Sequence, residues 1–324
     1  MKFIRHTVTA IAAIAALGAA VTSASAKWPM DKNMTIVVNW PAGTGADVLA
    51  RIIADGLQKK WGNTIIIENR PGASGNIGQA YVAKAEGDGY LWLHTSPGPA
   101  ANNMISFRNL PYNPLTDFTP TTMTNETDMI LVARNGLAKD IKELVAKAKA
   151  APESIKLAHP GTGTYAHMLG LRIEEATGIK MNMVPYKGSP QMLPDLMSGQ
   201  IDLVGDQIPT YVEQVKSGKI TAVATFGTKR SALLPDVPTM KELGFDILAA
   251  PWYGLEGPKG VPADIANEMA KAVAEVLADP ATVAKLKSAN YEPKSSTPAE
   301  FAKTIQDEVA TWGPVIKKHS LYVD

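Results

Sequence analysis

Beyond residue 27, short runs rich in β-branched residues alternate with amphipathic stretches. The period-two and continuously apolar runs predict strands over 34–39, 64–68, 90–95, 129–133, 155–158, 182–185, 201–205, 220–226 and 246–249. Between them the apolar positions switch to helical spacing. In 46–60, Val48, Leu49, Ile52, Ile53 and Leu57 recur along one face, and 139–150, 164–177, 189–198, 208–217, 262–278, 280–289 and 298–318 read the same way. The last helix opens on "STPAEF", a capping residue followed by proline and glutamate in the first turn. Such alternation predicts parallel βαβ units and an α/β architecture. No repeat, low-complexity tract or linker divides it.

The first residues follow another pattern. Lys2 and Arg5 precede the apolar block "VTAIAAIAALGAAV", and Ala24-Ser25-Ala26 leads into Lys27. This is the layout of a secretory signal, expected to be cleaved after Ala26, with an apolar block too short for a membrane span of about 20 residues. Cleavage leaves 298 of 324 residues, enough for two lobes. Without Lys2 and Arg5 the chain has 30 basic against 31 acidic residues, a balance with no field for nucleic acid or anionic lipid. The sequence contains no cysteine, so disulfides, thiolate metal sites and lipid attachment at a cysteine are excluded. A soluble periplasmic monomer without cofactor is the expectation.

The stretch "IVVNWPAGTGADVLAR" (36–51) raises the question of chemistry. A strand, Gly43-Thr44-Gly45 and a helix follow one another as in a dinucleotide fingerprint, and Glu68 ends the next strand. The third glycine fails, because position 48 is valine. What survives is a glycine turn whose helix start gathers unpaired N–H groups and favours an anion. The alternative is a tight turn alone. A second stretch, "LAHPGTGTYAHM", repeats the arrangement at Gly161, Thr162, Gly163 and Thr164. Two such loops in separate halves suit an anionic ligand, carboxylate or phosphate, gripped from both sides, with the hydroxyls of Thr44, Thr162 and Thr164 as further donors. Hydrolase, zinc-protease and Walker signatures are absent: "GASGNIG" has Asn76 where a nucleophile elbow needs glycine, and His94, His159, His167 and His319 show no HExxH spacing. No catalytic residue and no metal ligand is assigned.

The blocks "PAGTGADVLAR", "IIIENRPGASGNIG", "GDGYLWL", "LPYNPLTDF", "GTGTYAHM", "VPYKGSPQMLPDLMSGQIDL" and "LPDVPTMKELG", in this order, resemble the Bug, or tripartite tricarboxylate transporter receptor, family over essentially the whole mature chain. The resemblance implies a two-lobed periplasmic binding protein fold, with lobes joined by crossing strands around a ligand cleft. Residues 27–126 and 248–324 would form lobe 1, and 127–247 lobe 2. It implies a small organic carboxylate ligand gripped by the loops matching 41–47 and 161–167 and by bridging waters. The implied partners are the transporter's membrane subunits and, in some cases, a sensor kinase. The family usually carries Pro-Gly-Gly where this chain has Pro41-Ala42-Gly43, and commonly phenylalanine near Trp40. These departures, with Thr95 and Ser96 in "LHTSPGPAANN", point towards an aromatic or extended dicarboxylate.

Individual residues have competing readings. Asp47 is expected to cap the first helix and meet ligand through water. His167 is either a ligand-facing group or a structural hydrogen-bond partner. Asp206, at a strand end, contacts ligand or anchors its loop. Ser74 and Asn76 open a further helix that lines the cleft wall. Arg70 and Lys187 are expected to be local or surface charges, and Trp252 and Tyr253 to pack at the hinge.

Overall fold

A computed structural model describes residues 28–161, 163–186 and 191–323. The expected signal segment 1–26, Thr162, Lys187 and Gly188 lie outside these described residues.

In chain order the elements are β1 (Met34–Val38), α1 (Gly45–Trp61), β2 (Ile65–Asn69), α2 (Asn76–Ala83), β3 (Leu91–Thr95), α3 (Asn103–Ser106), β4 (Phe118–Glu126), β5 (Met129–Arg134), α4 (Ile141–Ala150), β6 (Lys156–His159), α5 (Tyr165–Thr177), β7 (Asn182–Pro185), α6 (Met192–Ser198), β8 (Leu203–Gln207), α7 (Val212–Lys216), β9 (Ile220–Thr225), β10 (Trp252–Pro258), α8 (Ala263–Ala278), α9 (Pro280–Ser288) and α10 (Pro298–Lys318). They build two five-stranded sheets, ordered β2-β1-β3-β10-β4 and β7-β6-β8-β5-β9. The first three strands of each are parallel, and the fourth is antiparallel to its neighbours. In both sheets that fourth strand is where the chain arrives from the other sheet. The molecule is therefore two α/β lobes of matching topology.

The expected parallel units are present in both sheets, each extended by an antiparallel fourth strand. Two strands were hidden. β4 reads "FTPTTMTNE", a threonine-rich run that buries Thr121, Thr122, Thr124 and Asn125, so it shows no apolar alternation. β10 reads "WYGLEGP", and its Gly254 is required because a Cβ there would stand 2.2 Å from the Phe301 ring. The stretch 246–249, expected as a strand, is extended chain outside both sheets, with Ala249 bonded to Phe226 and Met129.

The lobes are joined where β4 runs through Thr127 and Asp128 into β5, and where the chain returns into β10. The two crossings hold each other: Thr127 N–H donates to the Pro251 carbonyl (3.1 Å) and Met129 N–H to that of Ala249 (2.9 Å). One core lies between the first sheet and α1 and α8, with Ile36, Leu49, Ile53, Trp92, Met269 and Val273 buried. In the second lobe, α4 and α5 cover one face with Leu144, Met168, Leu169 and Ile173. Ile130, Val204, Met192 and Tyr211 fill the other face.

Candidate functional site

The two glycine loops lie after β1 and β6, the first strands of their respective parallel sets, and they are built alike. Gly43 and Gly163 take φ of 82° and 75°, a left-handed conformation open to glycine without strain. Thr44 and Thr164 follow with nearly identical extended dihedrals (φ −75°, ψ 164° and φ −69°, ψ 161°). Each threonine hydroxyl donates back to the carbonyl three residues earlier, Pro41 at 2.7 Å and Gly161 at 2.6 Å. Each glycine N–H donates to the side chain four residues on, Gly43 to Asp47 (2.9 Å) and Gly163 to His167 Nδ1 (3.1 Å). Asp47 and His167 are thus equivalent positions doing the same job.

Ahead of the first bond into each helix, Val48 to Thr44 and Met168 to Thr164, the opening amides of α1 and α5 have no backbone acceptor among the described residues. Both helix starts accordingly present unpaired donors and the positive end of the dipole. Arg51, the cation beside the first loop, is held by Asp47 (3.0 Å). The positive potential for an anion therefore comes mainly from backbone.

Asp47 is buried and also accepts from Asn69 (2.9 Å). Burial alone would raise its carboxyl, but the bonds from Arg51, Gly43 and Asn69 prevail and hold it below the usual carboxylate range. Asp47 caps no helix N-terminus in the expected sense; it staples the turn in front of its own helix. His167 is nearly buried and stacks on His159, with ring centroids 4.2 Å apart and planes 9° from parallel. Burial, helped by His159 and His319, lowers its pKa to about 4, so the ring is neutral and its Nδ1 is free of a proton to accept from Gly163. His159 is lowered too, by burial, and its Nδ1 pairs with the Gly161 carbonyl (2.8 Å).

The remaining expected residues divide between exposed or half-buried positions and the interior. Pro41, Ala42 and Gly43 are exposed at the loop tip, Thr44 and Gly45 are half-buried, and Trp40 is half-buried with its indole N–H bonded to Ser96 Oγ (3.0 Å). Ser74 is exposed at φ 54°, and its carbonyl accepts from Asn103. Asn76 is buried, taking hydrogen bonds from Asn103 (2.6 Å) and the Tyr112 hydroxyl (2.7 Å). Thr95 is wholly buried, bonded to Gln79 and Asn39. Through Gln79 the Thr95 side chain is tied to Glu256, whose carboxyl burial raises to about 8, while Asn76 belongs to a separate buried cluster with Asn103 and Tyr112. Asp206, at the end of β8, accepts from Gln207 N–H (2.8 Å) and faces the Tyr211 hydroxyl (3.4 Å). Arg70 pairs locally with Glu68 and stacks over Tyr81.

Sequence reasoning missed two groups here, Gln207 and Tyr291, and expected a third, Tyr253, at the hinge. The Gln207 amide reaches the Tyr253 hydroxyl (3.4 Å) across the lobe boundary. Tyr253 also stacks on His94, with centroids 5.7 Å apart. The Tyr291 hydroxyl occupies the space beside Gly45, 2.1 Å from where a Cβ would stand. Tyr291 lies in an irregular loop some 250 residues from Gly45, and no local pattern signals it. A separate groove of about 850 Å³, lined by Ile77, Tyr81, Phe107 and Pro111 among others, runs between α2 and residues 107–111, away from both glycine loops.

The profile of the tripartite tricarboxylate transporter family receptors matches residues 49–321. BugT of Bordetella pertussis is 32% identical over 308 residues, covering 94% of each chain. A Rhodopseudomonas palustris protein solved with adipate superposes with a TM-score of 0.81 at 32% identity, covering 90% of this chain and 97% of that one. MatC from the same organism, solved with bound malate, gives 0.75 at 28% identity, covering 88% and 99%.

Proposed function

Since this chain belongs to the tripartite tricarboxylate transporter receptor family, a family of solute-binding proteins rather than enzymes, we propose that it is a periplasmic receptor that captures a small organic carboxylate by cleft closure. The observation that carries this reading is the pair of matching glycine loops, one per lobe, each ending at a helix start with unpaired amides. A carboxylate at such a start accepts charge-assisted hydrogen bonds contributing roughly 1.5–3 kcal/mol each. Four or five of these, less the ordering costs, suffice for a micromolar site near about −8 kcal/mol. Relatives holding adipate and malate favour a dicarboxylate of four to six carbons, whose two ends suit two loops.

In this reading Pro41–Asp47 and Gly161–His167 grip the ligand, with Thr162 as a further donor. Trp40, Ser96, Ser74 and Asp206 shape the wall, while Thr95 and Asn76 act from behind it. Ligand shared between lobes shifts the population towards the closed form. That form is delivered to the transporter's membrane subunits after export and removal of the segment ending at Ala26.

A thermal-shift screen of the chain from Lys27 onward tests the reading, with C4–C6 di- and tricarboxylates, aromatic carboxylates, acidic amino acids, sugars and NAD. Saturation at 100 times Kd adds about 2.7 kcal/mol, enough to raise the midpoint by a few degrees. A shift with one carboxylate subset is the expected outcome. Shifts confined to sugars or NAD would overturn it.

A further inference from the structure

The C-terminal helix α10 carries a buried stripe of Phe301, Ile305, Glu308, Trp312, Val315 and Ile316. Its spacing is that of one helix face, yet the central position is a carboxylate only 7% exposed. Burying a carboxyl is costly unless its oxygens are bonded, and an apolar residue would fill the same place without that cost. What Glu308 touches explains its presence. The N-terminal part of the stripe packs on lobe 1, where Phe301 and Ile305 meet Met123 and Trp252. The C-terminal part enters the core of lobe 2, where Trp312 and Ile316 join Leu157, Ala166 and Leu169. Glu308 stands at the change-over.

Its two oxygens face opposite lobes. Oε1 accepts from Asn102 (3.0 Å), in the turn after β3 of lobe 1. Oε2 faces the hydroxyl of Tyr165 (3.5 Å), the first residue of α5 and the neighbour of Thr164 in the second glycine loop. That hydroxyl is fixed in turn by the Trp312 indole N–H (2.9 Å), whose ring meets Tyr165 edge-on at 4.7 Å. The Trp252 indole N–H is buried at the start of the return strand with no hydrogen-bond partner, near enough to the same carboxyl to favour its charged form. In lobe 1 the position equivalent to Tyr165 is Gly45, which has no side chain to send anywhere. The connection therefore exists only at the second loop.

We propose that Glu308 and Tyr165 are positioning residues: they tie the start of the second glycine loop to lobe 1, so that ligand at this loop and the arrangement of the lobes are coupled through α10. The proposal rests on the receptor reading above for its ligand, but the coupling itself can be observed without one.

The test uses Tyr165→Phe, which keeps the ring against Trp312 and removes only the hydroxyl. Indole N–H resonances are recorded on ¹⁵N-tryptophan-labelled protein, with Trp252 assigned from a Trp252→Phe sample, and adipate and malate are titrated by calorimetry. The expected result is a shift of the Trp252 indole signal in ligand-free Tyr165→Phe, although Trp252 lies on the other side of Glu308, together with about tenfold weaker binding of whichever probe the wild type binds. Glu308→Gln, which retains an acceptor and the side-chain shape, is expected to restrict the loss to less than that of Tyr165→Phe. A Tyr165→Phe protein that moves the Trp312 signal alone, with Trp252 and affinity unchanged, would overturn the coupling. A wild type that binds neither probe would instead count against the dicarboxylate reading, and the ligand-free Trp252 signal would still decide the coupling.

Discussion

At Gly45 the absence of a side chain is a tertiary requirement. The helix dihedral there suits any residue, but Tyr291 Oη fills the space of a Cβ and the Tyr253 hydroxyl lies 3.8 Å from it. Gly45→Ala is expected to cost about 1–3 kcal/mol through overpacking, read as a fall of several degrees in Tm. Gly45→Ala/Tyr291→Phe should recover most of it, since the remaining ring carbon stands 3.2 Å away and can give. A double variant no more stable than the single one would show that the phenol oxygen is not what excludes alanine. His167 makes a second prediction at this scale. Its folded pKa of about 4 lies below the ordinary 6.5, so between these values the unfolded chain binds the proton and the folded chain does not. This histidine therefore withdraws stability as pH falls from about 6.5 towards 4 and has no effect above that window. Glu256, raised to about 8, and Glu308, raised to about 7, act in the opposite sense, because their folded forms hold protons longer. The measurement is accordingly a difference: Tm against pH for the wild type and for His167→Asn, whose amide oxygen can still accept the Gly163 N–H. The gap should open below pH 6.5 in favour of the variant, and parallel curves would contradict the assignment.

Among the elements, α10 is the clearest example of local sequence deciding local structure. "STPAEF" forms a full capping box, with Thr297 Oγ1 accepting from Glu300 N–H (3.2 Å) and Glu300 returning to Thr297 N–H (2.8 Å). Thr297→Ala is expected to cost about 0.5–2 kcal/mol, measurable by urea denaturation, with ligand affinity unchanged. Elements whose signal is local in this way were legible in the sequence, as the apolar face of α1 and the parallel strands β1, β3 and β6 also were. β4 and β10 were not, because the contacts that make them strands come from afar: Ser296 bonds Thr122 and the Met123 N–H, and Phe301 lies over Gly254. The same division applies to the candidate site. Both glycine loops could be found from their turn residues, and Tyr253 from its place at the return crossing, whereas Gln207 and Tyr291 reach their places only once the lobes are folded. The roles of Asp47 and His167 were half legible. Their helix-start positions were visible, but their common task of holding the preceding glycine N–H emerges only when the loops are laid side by side.

On the scale of the whole molecule, repetition is the organising fact. Two sheets share one strand order, two loops share one hydrogen-bond pattern, and two mutually bonded crossings join them. α10 breaks the repetition by lying against both lobes, which places the connection through Glu308 in only one of the two loops. The central claim is that one carboxylate ligand is held by both loops at once. Gly43→Ala and Gly163→Ala test it most directly. A Cβ finds open space at Gly43 and only Val323 at 3.9 Å at Gly163, so the added methyl acts on backbone conformation rather than packing. Calorimetric titration of the carboxylate selected by the thermal-shift screen should show each variant binding at least about tenfold more weakly than the wild type, with both still folded. Undiminished affinity in either variant would contradict the claim, leaving a ligand held by one lobe alone.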